Sequence, residues 1–338
     1  MSAVVSTVFE GVILQVCEQR LLTDDLQFGF KSNVGCTDAI FALKTTTRNF
    51  ISNGSYIYCA ALDISKAFDR VNHYKLFNSL ISAGVPITIV NVICNWYSKL
   101  SVQVRWNDCL SKSFKVCSGV RQGSVLSPVI FNVFMNMFII NLRASGIGCN
   151  INQTFLGCLL YADDIILLCP TISGLQKMLD LCYGTSVSLS LQFNVCKSHC
   201  IAFGKSAKKC IGAMHLGPGD IDWCNSVKYL GVHTVSGKSI SFDMDPVRRS
   251  FFSAFKCIFS NNSSASEIVQ LTLHESYCLP VLTYSMPATD LKSKQVSELN
   301  ACWNSVFRKI FGFNKWESVR LFIHGMGIDL VHTLCASS

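Results

Sequence analysis

The chain has 338 residues, half of them apolar and only 15% charged, with a formal net charge of +8. This excludes a disordered tail and allows two or three packed units; the basic excess suits a polyanionic partner without identifying one. The 18 cysteines are scattered, many inside apolar runs (Cys59, Cys94, Cys158, Cys169), and no C-x-x-C pair occurs, which excludes a small disulfide scaffold and points to reduced, buried thiols.

In chain order, residues 3–22 show helical periodicity at Val5, Val8, Phe9, Val12, Ile13 and Val16. Glu10 and the lack of a basic lead-in exclude a signal peptide. Asp24-Asp25 reads as a surface turn or helix edge, residues 26–33 as a loop, and Thr37 to Phe50 as a second helix. After the Asn53-Gly54-Ser55 turn, residues 56–63 form a strand that ends on Asp63, followed by a helix that stops near Gly84-Val85-Pro86. Residues 87–100 read as a helix, and 102–106 with 113–117 as a hairpin around Asn107-Asp108. Residues 118–124 are a flexible polar loop, and Pro128 sits where a helix running to Leu142 tolerates it. That helix is apolar, but Asn132, Asn136 and Asn141 favour a buried helix over a membrane span.

Residues 155–161 and 165–169 are buried strands, and Asp163 and Asp164 fall in the tight hairpin between them. Ser173 can cap a helix through Leu189; strands follow at 199–203 and 227–230. From Phe242 the pattern is helical and loosely basic, with a boundary near Gly237–Asp245. The sum is an α+β core with a mostly antiparallel sheet, then an all-helical C-terminal unit.

Two neighbouring carboxylates at the end of a buried hairpin repel each other and lose hydration, a cost that a cation removes, and Mg²⁺ is the natural one. Adjacent strand residues point to opposite faces, so a further acid is required. Asp63 supplies it if its strand lies beside the hairpin, and two such carboxylates are what two-metal phosphoryl transfer needs. Three other features carry less. Cys196-x-x-His199-Cys200 has no matching second half for a zinc site. The stretch Gly231 to Ser239 has five residues between its glycines where a phosphate loop has four. His73 reads as structural, and Asp69 as ordering the turn after the strand.

At these residues the chain resembles reverse transcriptases. Ala61-Leu62-Asp63-Ile64-Ser65-Lys66-Ala67-Phe68-Asp69 is similar to motif A, Ser118 to Pro128 with Arg121-Gln122-Gly123-Ser124 to motif B, and Tyr161-Ala162-Asp163-Asp164 to motif C. Asn194-Val195-Cys196-Lys197-Ser198 resembles motif D, Lys228-Tyr229-Leu230-Gly231 motif E, and Gln27 to Lys31 with Thr37-Asp38-Ala39 the fingers motif 2. The motifs fall in order across residues 27–231, in the flavour of non-LTR (LINE-type) retrotransposons, and 299–319 is similar to segments that follow the polymerase in those elements.

The resemblance implies a right-hand polymerase: partial fingers at 1–55, a palm at 56–237 with a fingers insertion at about 85–117, and a helical thumb with C-terminal extension at 238–338. It implies an RNA template, a DNA primer and dNTPs, with no membrane, in the cytoplasm or nucleus. Asp63 and Asp163 would hold two Mg²⁺ ions (or Mn²⁺) with the Ile64 carbonyl, and Asp164 would support the site from its edge. Phe68 would be the steric gate against a 2′-hydroxyl, and Gln122 and Gly123 would approach nucleotide and template. Lys197 could protonate pyrophosphate, and Lys31 could touch the triphosphate. An Arg-Pro-Ile type element usually precedes the position of Ser6 in the family, and an endonuclease accompanies the polymerase; neither has a counterpart here, so a truncated polymerase domain is expected. The alternatives are a retroelement remnant that binds nucleic acid without polymerising, and, on hydropathy alone, a membrane-associated protein.

Overall fold

The computed structural model describes residues 3–205, 212–262, 264–284 and 286–327; the end of the expected thumb region lies outside them. The chain forms two compact units, residues 1–227 with 236–239, and residues 228–235 with 240–338.

The first unit opens with α1 (Ala3–Cys17), α2 (Cys36–Ser52) and β1 (Ile57–Leu62), then α3 (Ala67–Arg70), α4 (His73–Ser82) and α5 (Ile87–Ser98). Short strands β2 (Ser101–Val102), β3 (Arg105–Trp106), β4 (Cys109–Leu110) and β5 (Phe114–Lys115) pair as two ladders, β2 with β5 and β3 with β4. Then come α6 (Ser127–Ala144), the small hairpin β6 (Asn150–Ile151) and β7 (Thr154–Phe155), β8 (Cys158–Tyr161), β9 (Asp164–Cys169) and α7 (Ile172–Leu189). A 3₁₀ turn at Val195–Lys197 leads into β10 (His199–Phe203), β11 (Met214–Leu216) and β12 (Gly219–Trp223).

The six-stranded sheet has the order β11-β12-β10-β1-β9-β8. Only β10 and β12 run parallel; every other neighbouring pair is antiparallel. β1 is central, and its residues Ile57, Cys59, Ala60 and Leu62 are buried. Each edge strand is met at one residue by chain outside the sheet, which blunts it as a template for pairing with another chain. On β8, Leu160 exchanges backbone hydrogen bonds of 2.8 Å with Leu26 and Phe28. On β11, the Gln176 side-chain amide brackets the backbone of His215, accepting from its N–H and donating to its carbonyl, both at 3.0 Å.

α6 is the main core helix. Ile130, Phe131, Phe134, Met135, Phe138 and Ile139 are all fully buried. Its length and composition would let it cross a membrane, and 56% of it is buried inside the fold. Its asparagines tie neighbouring segments to it. Asn132 Nδ2 donates to the Gly29 carbonyl (2.6 Å), Asn136 Oδ1 accepts from Asp24 N (3.3 Å), and Asn141 Nδ2 donates to Thr185 Oγ1 on α7 (2.9 Å).

The second unit is entered within β13 (Ser226–Tyr229) and continues through β14 (Val232–Val235), β15 (Ser241–Asp243), α8 (Asp245–Asn261), α9 (Glu267–Tyr277), α10 (Leu279–Thr283), α11 (Ser293–Ile310) and α12 (Arg320–Gly325). Phe251, Leu282, Leu299, Trp303, Val306 and Phe307 are buried in its core.

Several local expectations are corrected. α1 stops at Cys17, and Val5, Val8, Val12 and Val16 are exposed; its buried face is Ser6, Glu10, Ile13 and Cys17. The polar partners of Glu10, described below, turn the helix that way against its apolar stripe. Thr171, not Ser173, caps α7, its Oγ1 accepting from Gly174 N at 3.1 Å. Asp24-Asp25 is no free surface turn: Asp24 makes a bidentate ion pair with Arg143 at 2.5 and 2.8 Å. Burial alone would raise the Asp24 pKa; hydrogen bonds from Arg143 and Leu26 more than offset it and hold the carboxyl below its usual value. β11, β12, β14 and β15 have only three to five residues each and alternate buried with half-buried or exposed positions, too short for a clear period. β15 also means that the chain is not helical from Phe242.

Candidate active site

The ends of β1 and β9 form the site. Leu62 lies opposite Ile165, so one further step along the antiparallel register sets Asp63 across from Asp164. The hairpin between β8 and β9 closes with Tyr161 opposite Asp164, which leaves Ala162 and Asp163 as its turn. Ala162 has a φ of +55°, the left-handed region that such turns reserve for glycine or asparagine.

That strained turn is held by Gln27, a buried side chain between Leu26 and Phe28. Gln27 Oε1 accepts from Ala162 N at 2.9 Å, and its Nε2 donates to the Ala162 carbonyl at 3.3 Å. Oε1 also accepts from Gly29 N (3.1 Å), so one amide joins both segments. Gly29 lies so close that a Cβ there would come 2.6 Å from Ala162 N. Gln27 thus positions the turn; its place in the stretch that resembles fingers motif 2 carried no sign of that role. On the other side, Ser198 Oγ accepts from Asp63 N (3.2 Å) and donates to the Asn194 carbonyl (2.8 Å), while Asn194 N donates to the Asp63 carbonyl (2.8 Å).

The carboxylates act on one another. Burial raises the Asp163 pKa, and the charge of Asp63 adds to it. Asp164 has an open outer surface but is crowded from below. It is pushed up to about 6 by that burial, then by Asp163 and Asp63. Among the described residues, no group of three or more His, Cys, Asp or Glu forms a ready-made metal-binding cluster. The donor set is nevertheless all oxygen and mutually repelling, which is the chemistry that fits a hard divalent cation.

Around this centre the other expected residues spread unevenly. Ile64 is buried and bridges to Phe193. Phe68 is half-buried, stacked on Phe131 (centroids 4.2 Å apart, 17° between planes) with Phe30 edge-on at 6.0 Å. Gln122 Nε2 donates to Asp69 Oδ1 at 3.0 Å. Gly119, with φ +88°, packs so closely that a Cβ would come 2.8 Å from the Asp69 carbonyl. Its own carbonyl meets His73 Nε2 at 2.8 Å, a structural contact. Gly123 is exposed, with open space around it. Lys197 is exposed, one residue before Ser198. Lys31 is turned to the Asp24 carbonyl, to which its Nζ donates at 2.6 Å.

Two outcomes are expected. Gly29→Ala forces a methyl against rigid backbone and destabilises the first unit by about 1–3 kcal/mol, measurable by chemical denaturation; an unchanged midpoint would show that the turn yields. For Asp164 the folded pKa of about 6 lies above the ordinary 3.8. The folded state therefore holds the proton more tightly, and stability falls as pH rises through that window. In divalent-free buffer Asp164→Asn abolishes this fall and is more stable than wild type at pH 7. Parallel pH–stability curves for the two proteins would contradict the crowding described.

Residues 6–234, well over half of the chain, match the family described as "Reverse transcriptase (RNA-dependent DNA polymerase)". The chain is 28% identical over 228 residues to a Pol polyprotein from the type-2 retrotransposable element R2DM of Drosophila melanogaster, covering 64% of this chain and 21% of that protein. It is 22% identical over 296 residues to the RNA-directed DNA polymerase from mobile element jockey of the same fly, covering 85% of this chain and 32% of that protein. It thus spans only about a fifth to a third of the length of these relatives. Among solved structures, telomerase from Candida albicans in complex with a fragment of telomeric RNA superposes with a TM-score of 0.52 at 12% identity, over 92% of this chain and 57% of that one. Apo telomerase from Candida tropicalis, truncated from its C-terminal domain, gives 0.51 at 17% identity, over 69% and 45%. At such identities the likeness is one of fold: mixed helix and antiparallel-rich sheet, as in those polymerases. The chain belongs to the reverse transcriptase family, and its relatives are polymerases of non-LTR retrotransposons.

Proposed function

We propose that this chain is an RNA-directed DNA polymerase that adds dNTPs to a primer 3′-hydroxyl by two-metal phosphoryl transfer. The observation that carries the reading is the placing of Asp63 at the end of β1 beside the Asp163–Asp164 turn of the adjacent antiparallel strand, with their charges repelling. Asp63 and Asp163, with the Ile64 carbonyl, would hold the divalent ions, and Asp164 would stand at the rim. When bound, a pair of Mg²⁺ or Mn²⁺ ions lowers the pKa of the attacking hydroxyl and neutralises charge on the leaving pyrophosphate.

The chain's own residues do the rest. Phe68, fixed against Phe131, presents a rigid ring beneath the sugar and leaves no space for a 2′-hydroxyl. Asp69 holds the Gln122 amide, so the loop that meets base and template is placed before substrate arrives. Lys197, exposed next to Ser198, whose hydroxyl accepts from Asp63 N, is the proton donor for pyrophosphate. Lys31 reaches a triphosphate only by leaving the Asp24 carbonyl.

In this reading residues 1–55 are partial fingers, 56–237 palm with a fingers insertion at about 85–117, and 238–338 helical thumb with a C-terminal extension. The template is RNA and the primer DNA, in keeping with the names of the relatives and with an RNA-bound telomerase among the structural neighbours.

Primer extension on an RNA template with dNTPs and Mg²⁺ tests it. Asp63→Ala and Asp163→Ala each lower extension by at least about a thousandfold while RNA binding persists; extension that survives either change removes that residue from the site. No Mg²⁺-dependent extension by wild type, with RNA still bound, leaves a nucleic-acid-binding remnant as the function. Phe68→Ala raises ribonucleotide incorporation relative to deoxyribonucleotide by about tenfold; an unchanged ratio would make Phe68 a packing residue.

A further inference from the structure

Glu10 is 1% exposed, and a buried carboxylate is costly unless its oxygens are satisfied. Here they are satisfied by the loop that carries Gln122 and Gly123. Oε2 accepts from Ser124 Oγ at 2.6 Å, Val125 N at 2.8 Å and Leu126 N at 3.3 Å. Oε1 accepts from Ser6 Oγ at 3.2 Å and lies 3.6 Å from Arg121 Nη1, which also reaches the Ser6 hydroxyl. Ser124 in turn accepts from Ser127 N at 3.2 Å, so the carboxylate and one hydroxyl together take up donors at the start of α6.

The loop is therefore pinned at both ends. At its start, Gly119 N donates to the Val71 carbonyl and Val120 N to the Phe68 carbonyl, both at 2.8 Å. At its end, Glu10 grips residues 124–126, and through Arg121 it also reaches the residue before Gln122. Between the pins Gln122 and Gly123 stay exposed.

We propose that Glu10, on a different helix and without touching substrate, is a positioning residue that sets dNTP affinity by fixing how Gln122 and Gly123 project. The inference rests on the polymerase reading above. The charge matters as well as the shape. A glutamine offers one acceptor oxygen where the site has two. Turned one way its amide donors face Arg121; turned the other way they face Val125 N and Leu126 N. Either orientation sets donor against donor.

The test compares Glu10→Gln with Ile13→Val, a change on the buried face of the same helix. Steady-state extension with varied dNTP is read together with amide hydrogen exchange over residues 121–126. Glu10→Gln speeds exchange there and raises the dNTP KM about tenfold with kcat within about twofold, while Ile13→Val leaves both unchanged. Faster exchange with an unchanged KM would reduce Glu10 to a helix cap and overturn the proposal, as would a KM rise of equal size in Ile13→Val. If wild type extends no primer, the polymerase reading fails on its own terms, and the exchange data still judge the tether: protection unchanged by Glu10→Gln refutes it.

Discussion

Like-charge repulsion is the constraint around which the first unit is built. Asp63, Asp163 and Asp164 converge because β1 and β9 are register partners, and their repulsion works against the fold that brings them together. Nothing in the carboxylates themselves favours the arrangement without a cation. The restraint comes from neutral neighbours: Gln27 on the backbone of the turn, Ser198 and Asn194 on the backbone at Asp63, and a sheet whose central strand is bonded on both sides. Three mutually repelling carboxyls are thus held together by contacts that are indifferent to charge.

α6 shows how the same helix serves core and site together. Its phenylalanines supply much of the buried volume, and Phe131 also supports Phe68. Its polar positions reach outward along the chain: Asn132 to Gly29, Asn136 to Asp24, and its N-terminus to Glu10. Apolar burial is non-directional and tolerates slippage, whereas these hydrogen bonds have one geometry each. Register between the helix and the segment carrying Gln27 follows from the asparagines more than from the phenylalanines.

Much of this was legible from the residues. A buried strand ending on Asp63 and an apolar hairpin broken by Asp163-Asp164 say little singly, and a good deal together with the motifs that fall in order around them. The α+β class and the order of the long elements follow from periodicity. What could not be read was interaction between distant segments. The stripe of valines on α1 suggested its inner face, yet Ser6 and Glu10 turn inward because their partners lie more than a hundred residues away. Gln27 and Asp24 were illegible for the same reason: a polar side chain in a loop looks solvated until the backbone it binds is known. Short strands such as β11 and β12 carry too few residues for a period to emerge.

The topology of the sheet has a consequence in time. β1 lies between two strands that are both made much later: Leu62 pairs with Ile165, and Ala61 with His199. Pairings across such separations are slow to form and closed late. While the ribosome is still short of β9, the strand bearing Asp63 has neither neighbour, and its apolar residues have no sheet to join. The growing chain therefore carries an exposed strand from the time β1 is made until β9 and β10 follow it. Because β1 runs antiparallel to both neighbours, its Asp63 end meets the first-made residues of β9 and β10, so that end of the sheet can close before the Ile57 end does.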